Sequence, residues 1–230
     1  MRKIIINICV AALCAPLLVR AQGTIYLSNL GQASAGSFAI GSNSWVAAGF
    51  ETGANASGYL LNDIQLLMTD ASGNPSNFTA MLYRPAAGGS SQVALPGISL
   101  VTLNGSLNPV NAGTYTYIPA SSFTLSPNYE YYIVLTAATA IANGAYEWSY
   151  AGANSYNPSG GWSSPGQYGD YWTSSNGSIP SWNSTANFPQ FAIDATAIPE
   201  PSASWLLFLG SGVFYVCARH KRRIAQQGVG

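Results

Sequence analysis

Seven carboxylates and a run of aromatic side chains are the groups through which the central part of this chain could do chemistry. Between Gln22 and Ile198 the acids are Glu51, Asp63, Asp70, Glu130, Glu147, Asp170 and Asp194, and Arg84 is the one cation, leaving six net negative charges. That stretch contains no His, Cys or Lys. Ser-His-Asp and Cys-His catalysis therefore cannot be assembled within it, and neither can a zinc site built on imidazole or thiolate. A glycosidase needs only two carboxyl groups, one held protonated as the acid and one ionised as base or nucleophile. Glu130, Glu147 and Asp170 could supply them, although Glu147, between Tyr146 and Trp148, equally suits a solvent-facing strand position. Calcium would take oxygen ligands from Asp63, Asp70 or Asp170 with loop carbonyls. No EF-hand or repeat spacing is present, and Asp70 fits a residue that caps its own turn. The balance favours a domain that is not an enzyme and carries no metal or other cofactor.

The second chemical feature is the segment from Tyr146 to Trp182, where Trp148, Tyr150, Tyr156, Trp162, Tyr168, Tyr171, Trp172 and Trp182 alternate with Gly, Ser and Asn. Aromatic rings stack on the apolar faces of sugars while amides and hydroxyls address their hydroxyl groups. Trp162, Tyr168, Tyr171, Trp172 and Trp182 are accordingly candidate glycan-binding residues. The competing expectation is that these large rings fill the core and close the ends of a sandwich. Nucleic acid is excluded as a partner, because a polyanion requires a basic footprint and this segment offers a single guanidinium.

The remaining charges are concentrated at the two ends of the 230-residue chain. Arg2 and Lys3 precede an apolar run from Ile4 to Val19, and Val19-Arg20-Ala21 closes it with small residues at the positions a signal peptidase reads. Residues 1–21 are thus expected to be a secretory signal peptide, passed through the secretion translocon and cleaved between Ala21 and Gln22. At the other end Ile198-Pro199-Glu200-Pro201 precedes an uncharged run from Ser202 to Ala218, followed by Arg219, His220, Lys221, Arg222 and Arg223 and a short tail, 224–230. Seventeen helical residues reach about 25 Å, enough to span a thin or compressed bilayer. The basic tip of Arg219, Lys221, Arg222 and Arg223 stays cytoplasmic by the positive-inside rule, so the domain lies outside. Cys9, Cys14 and Cys217 fall in these apolar runs, which leaves residues 22–197 without a disulfide framework.

The order Pro199-Glu200-Pro201, apolar helix, basic tip resembles the PEP-CTERM sorting tail of Gram-negative bacteria that make exopolysaccharide. That resemblance implies recognition by an exosortase-like sorting enzyme, cutting near the motif and release to the outer surface or matrix.

Between the ends, short apolar or alternating runs are separated by turn residues. Strands are expected at Thr24 to Ser28, Trp45 to Phe50, Tyr59 to Met68, Phe78 to Tyr83, Ile98 to Leu103, Thr114 to Ile118, Tyr129 to Ala137, Ala145 to Tyr150 and Gln190 to Ala195. Asn104-Gly105, Asn143-Gly144 and Asn176-Gly177 should supply left-handed turn positions, and Asp70 to Pro75 a loop. Tyr59 to Met68 and Tyr131 to Leu135 read as central strands covered on both faces. No segment has a helical period. The expectation is an all-β domain, residues 22–197, formed by two packed antiparallel sheets in a jelly-roll-like β-sandwich, with another Greek-key sandwich as the alternative.

This stretch, from about Gly23 to Ala195, also resembles the choice-of-anchor R family of bacterial surface domains. The residues that carry the likeness are Ser28-Asn29-Leu30-Gly31-Gln32, Leu61-Asn62-Asp63-Ile64-Gln65-Leu66-Leu67-Met68, Asp70 to Pro75, Tyr146-Glu147-Trp148-Ser149-Tyr150 and Phe191-Ala192-Ile193. The resemblance implies a surface location and leaves molecular activity open. Together these features predict an exported envelope or matrix protein with a structural or interaction role, with exopolysaccharide binding as the alternative and glycan cleavage as a third.

Overall fold

The computed structural model describes residues 23–86, 95–105, 107–153, 156–164, 171–178 and 181–200, and for Tyr171 and Trp172 the backbone alone. The expected signal peptide with its Ala21–Gln22 bond, Pro201, the helix 202–218, the basic tip and Tyr168 and Asp170 lie outside these residues. Among the described residues no helix is long and apolar enough to cross a membrane.

Among the described residues fourteen strands follow one another: β1 Thr24–Ser28, β2 Ser34–Ile40, β3 Trp45–Glu51, β4 Tyr59–Gly73, β5 Thr79–Pro85, β6 Pro96–Gly105, β7 Gly113–Pro119, β8 Thr124–Leu125, β9 Glu130–Thr136, β10 Gly144–Ala151, β11 Tyr171–Ser174, β12 Asn183–Ser184, β13 Phe188–Pro189 and β14 Phe191–Ala197. The helical content of the described residues is one 3-10 turn, Ile141–Asn143. All nine strands expected from the sequence are present. The largest one missed is β2, whose Ser34-Ala-Gly-Ser start carries little apolar pattern. It is fixed by pairing with β10, where Ile40 faces Tyr146 and Phe38 faces Trp148.

Every strand pair is antiparallel, and the sheet runs β1-β14-β4-β7-β6-β5-β9-β3-β11-β12 with a branch at β4. The branch follows from length. Fifteen residues of strand extend about 50 Å, more than one neighbour can cover. On one edge of β4, Tyr59 to Leu66 pairs with β14, and Met68 to Gly73 pairs with β10; β8 and β7 take the other edge. Layers that the sequence suggested would be separate sheets are therefore joined through β4 into one curled sheet. Its concave side holds a continuous core that includes Leu27, Ile40, Phe50, Ile64, Leu82, Ile133, Trp148 and Phe191.

The two expected central strands differ. In β9, Tyr131 to Leu135 is buried throughout: Tyr131, Ile133 and Leu135 join the main core, while Tyr132 and Val134 join a second cluster with Ala47, Tyr83 and Trp182. In β4 the buried residues alternate, Tyr59, Leu61, Ile64, Leu66 and Met68, so one face only is fully covered. The skipped step between Leu61 and Ile64 is a bulge at Asn62, where the register with β14 shifts.

Of the three expected Asn-Gly turns, Gly177 takes the left-handed turn conformation, whereas Gly144, with φ 143° and ψ 146°, is the first residue of β10. Gly177 has φ 69°, and a Cβ there would run into the Trp45 indole. Asn104-Gly105 is instead the end of β6, with Gly105 opposite Tyr117. Asp70 to Gly73 is the last part of β4 rather than loop, because Ser72 and Gly73 pair with Ala145 and Gly144.

Candidate functional site

The carboxylates are distributed by the strand registers. Glu51, the last residue of β3, stands directly opposite Glu130, the first residue of β9. Directly opposed side chains share one face with Cβ atoms about 4.5–5.5 Å apart. The Tyr132 hydroxyl donates to Glu130 Oε1 at 2.6 Å, and the Ser163 hydroxyl donates to Glu51 Oε2 at 3.3 Å. Burial pushes the Glu130 carboxyl above the usual glutamate range; the Tyr132 hydrogen bond opposes this and the Glu51 charge adds to it. Both project from adjacent strands on the same face, and each is already engaged by a hydroxyl. Glu51 was not singled out from sequence, since only the β3–β9 register brings it to Glu130.

The other carboxylates stand apart from that pair. Glu147 faces Ala39 and Thr69 in the ladder and accepts a hydrogen bond from Ser37 at 2.7 Å, so no carboxylate is its register neighbour. Asp63 opposes Asp194 across β4 and β14. Burial raises the Asp63 carboxyl, a hydrogen bond from Gln65 opposes the shift, and Asp194 adds to it. Asp70 does not cap its own turn: its Oδ1 accepts from the Ala112 amide at 2.8 Å. Seven residues along β4 separate Asp63 from Asp70 by about 23 Å, so the two cannot share a cation.

The aromatic candidates divide in the same way. Trp162 is 2% exposed, stacked 4.9 Å from Tyr26 and 5.8 Å from Phe50, with Tyr59 edge-on. Trp182 is 5% exposed in the second cluster. Neither ring face is offered to a ligand, so the glycan-stacking expectation is corrected for both in favour of core filling. Trp148 is also interior, donating its indole N–H to the Gln190 carbonyl at 2.9 Å. The backbone of Tyr171 and Trp172 pairs with Ala48 and Ala47 of β3.

Two buried amide side chains, Asn29 and Gln190, fasten the strands from inside. Asn29 is 1% exposed; its Nδ2 donates to the Pro189 carbonyl at 3.0 Å, and its Oδ1 accepts from the Phe191 amide at 2.8 Å. The side-chain amide thus behaves as one more residue of a ladder. Gln190, fully buried, donates to the carbonyls of Asn29 and Gln32 and accepts from the Ser149 hydroxyl.

No family model, curated protein or solved structure matches this chain.

Two surface features remain. The chain leaves the sheet after Ala197, and Pro199 and Glu200 are exposed. Ile198 is tied to the turn at residues 55–58, its amide donating to the Gly58 carbonyl at 3.1 Å and its carbonyl accepting from Asn55 Nδ2 at 3.0 Å. The Glu200 carboxylate accepts from the Ala56 amide at 2.9 Å. A pocket of about 310 Å³ lies where β5, β6 and β7 converge, and no sequence signal pointed to it.

Proposed function

We propose that this chain is an exported protein of the cell envelope or extracellular matrix, sorted by a PEP-CTERM-like tail, whose β domain has a structural or interaction role. The observation that supports the reading is the exposure of Pro199 and Glu200 immediately after β14. An extended Pro-Glu-Pro segment resists helix and strand alike, which keeps it reachable by a processing enzyme. The curled sheet is a jelly-roll-like β-sandwich in this proposal. The signal peptidase, the translocon, an exosortase-like enzyme and the membrane are the partners it implies.

Carbohydrate binding is the second reading, and the polar pocket between β5, β6 and β7 favours it. Catalysis receives less support: Glu147 has no carboxylate register neighbour, and both members of the Glu51–Glu130 pair are held by hydroxyls.

Fractionating cells and determining both mature termini by mass spectrometry tests the proposal. The expected result is an envelope or extracellular protein that starts at Gln22 and ends near Pro199 to Pro201. A cytoplasmic protein that retains residues 1–21 overturns export. Mature protein that uniformly keeps Arg219 to Arg223 overturns processing and leaves a permanent anchor.

A further inference from the structure

The pocket between β5, β6 and β7 is lined by Phe78, Thr79, Thr102, Leu103, Asn104, Gly105, Leu107, Asn108 and Tyr117. Its rim is exposed, Leu107 being 71% accessible. No lining side chain carries a charge. Thr79, Thr102, Asn104 and Asn108 present hydroxyl and amide groups that make no side-chain hydrogen bond among the described residues. Tyr117 is 3% exposed, and its hydroxyl is buried without a hydrogen-bond partner among those residues. That hydroxyl is closed off from solvent and so from a ligand, and the polar contacts of the pocket fall to the exposed Thr102, Asn104 and Asn108 with Thr79 beside them. Phe78 and Tyr117 pack with ring centroids 5.5 Å apart and supply the apolar surface. Gly105 contributes no side chain, and a Cβ there would collide with the Tyr117 ring, so backbone and ring approach closely.

We infer that this pocket binds an uncharged sugar residue of a polysaccharide or oligosaccharide. Neutral hydroxyl and amide groups beside aromatic and aliphatic carbon match the two kinds of surface on a sugar ring, its equatorial hydroxyls and its C–H face. The volume is at the lower end of small-molecule sites, about 300–1,000 Å³, which suits a terminal or single internal residue rather than a long chain. An anionic sugar finds no cation in the lining, and Arg84 is the one basic side chain of the segment 22–198. The inference rests on surface display only for where the sugar would be met; binding by purified protein is a separate question.

The test is saturation-transfer NMR on the full-length protein in a sugar-free detergent, with cellotriose, maltotriose, mannotriose and galactotriose as uncharged probes and trigalacturonate as the charged control. At least one uncharged probe binds, and Asn104→Ala and Asn108→Ala each weaken it about fivefold, the loss of one hydrogen bond. Both variants keep the fold, since each alters an exposed residue, which a circular dichroism melt verifies. Failure of all four uncharged probes overturns the inference. So does binding that is indifferent to both variants, or preference for trigalacturonate. None of those outcomes touches the envelope location, which the mature termini decide.

Discussion

Glu51 and Glu130 face each other across β3 and β9 as a like-charged pair in a domain with almost no cations. Opposed like charges destabilise a sheet, and burial makes the Glu130 charge more costly still. The folded protein therefore holds the Glu130 proton more tightly than the unfolded chain does. The contribution of this group to stability is fully present below the ordinary glutamate value of 4.5 and is lost as pH rises through the raised folded value. Asp63, opposite Asp194, has the same sign relative to its ordinary value of 3.8.

Glu130→Gln is expected to stabilise the protein at neutral pH by about 0.5 kcal/mol and to flatten this decline. The amide oxygen can still accept from Tyr132. Urea titrations at about pH 4 and pH 7 measure the difference. A variant less stable than wild type at neutral pH would show that the carboxylate is held by an attraction rather than a repulsion.

Asn29→Asp is expected to cost about 3 kcal/mol at neutral pH. The carboxylate can accept from the Phe191 amide but cannot donate to the Pro189 carbonyl, and it is buried. Protonation restores a donor, so the deficit shrinks in acid. A loss below about 0.5 kcal/mol in chemical denaturation, the level of an ordinary surface substitution, would contradict the ladder role of Asn29.

Trp162→Ala should lose about 3–5 kcal/mol through the cavity left between Tyr26, Phe50 and Tyr59. Trp162→Phe preserves stacking and removes an indole N–H that has no partner among the described residues, so its cost is smaller. Thermal melts of the pair decide between core and surface. Near-wild-type stability of the alanine variant would return Trp162 to the list of ligand-facing rings.

Gly144→Ala should destabilise the protein by about 2 kcal/mol or more. Gly144 has φ 143°, and a Cβ would meet the Asn74 backbone where β10 pairs with the end of β4. Hydrogen exchange should report the loss first in Ser72 and Ala145. Uniform acceleration over the whole sheet would instead place the strain elsewhere.

The all-β class and the location of nine strands were legible in the order of residues alone. Period-two alternation and turn residues are local properties, legible wherever a strand has one wet face, as in Tyr115-Thr116-Tyr117. The same one-dimensional reading exposed the missing His, Cys and Lys and the concentration of basic residues at the chain ends.

Partnership was decided by the tertiary structure alone. Register pairs Glu51 with Glu130 over nearly eighty positions of chain, and it turns Asp70 toward Ala112 instead of its own turn. Trp162 and Trp182 have the same composition of neighbours in sequence whether they line a groove or fill a core. Burial is set by which strands pack over them, and a pattern of residue types carries no information about that. The pocket beside Tyr117 was illegible for the same reason: its lining comes from β5, β6, β7 and the residues next to them, which meet only once the sheet has formed.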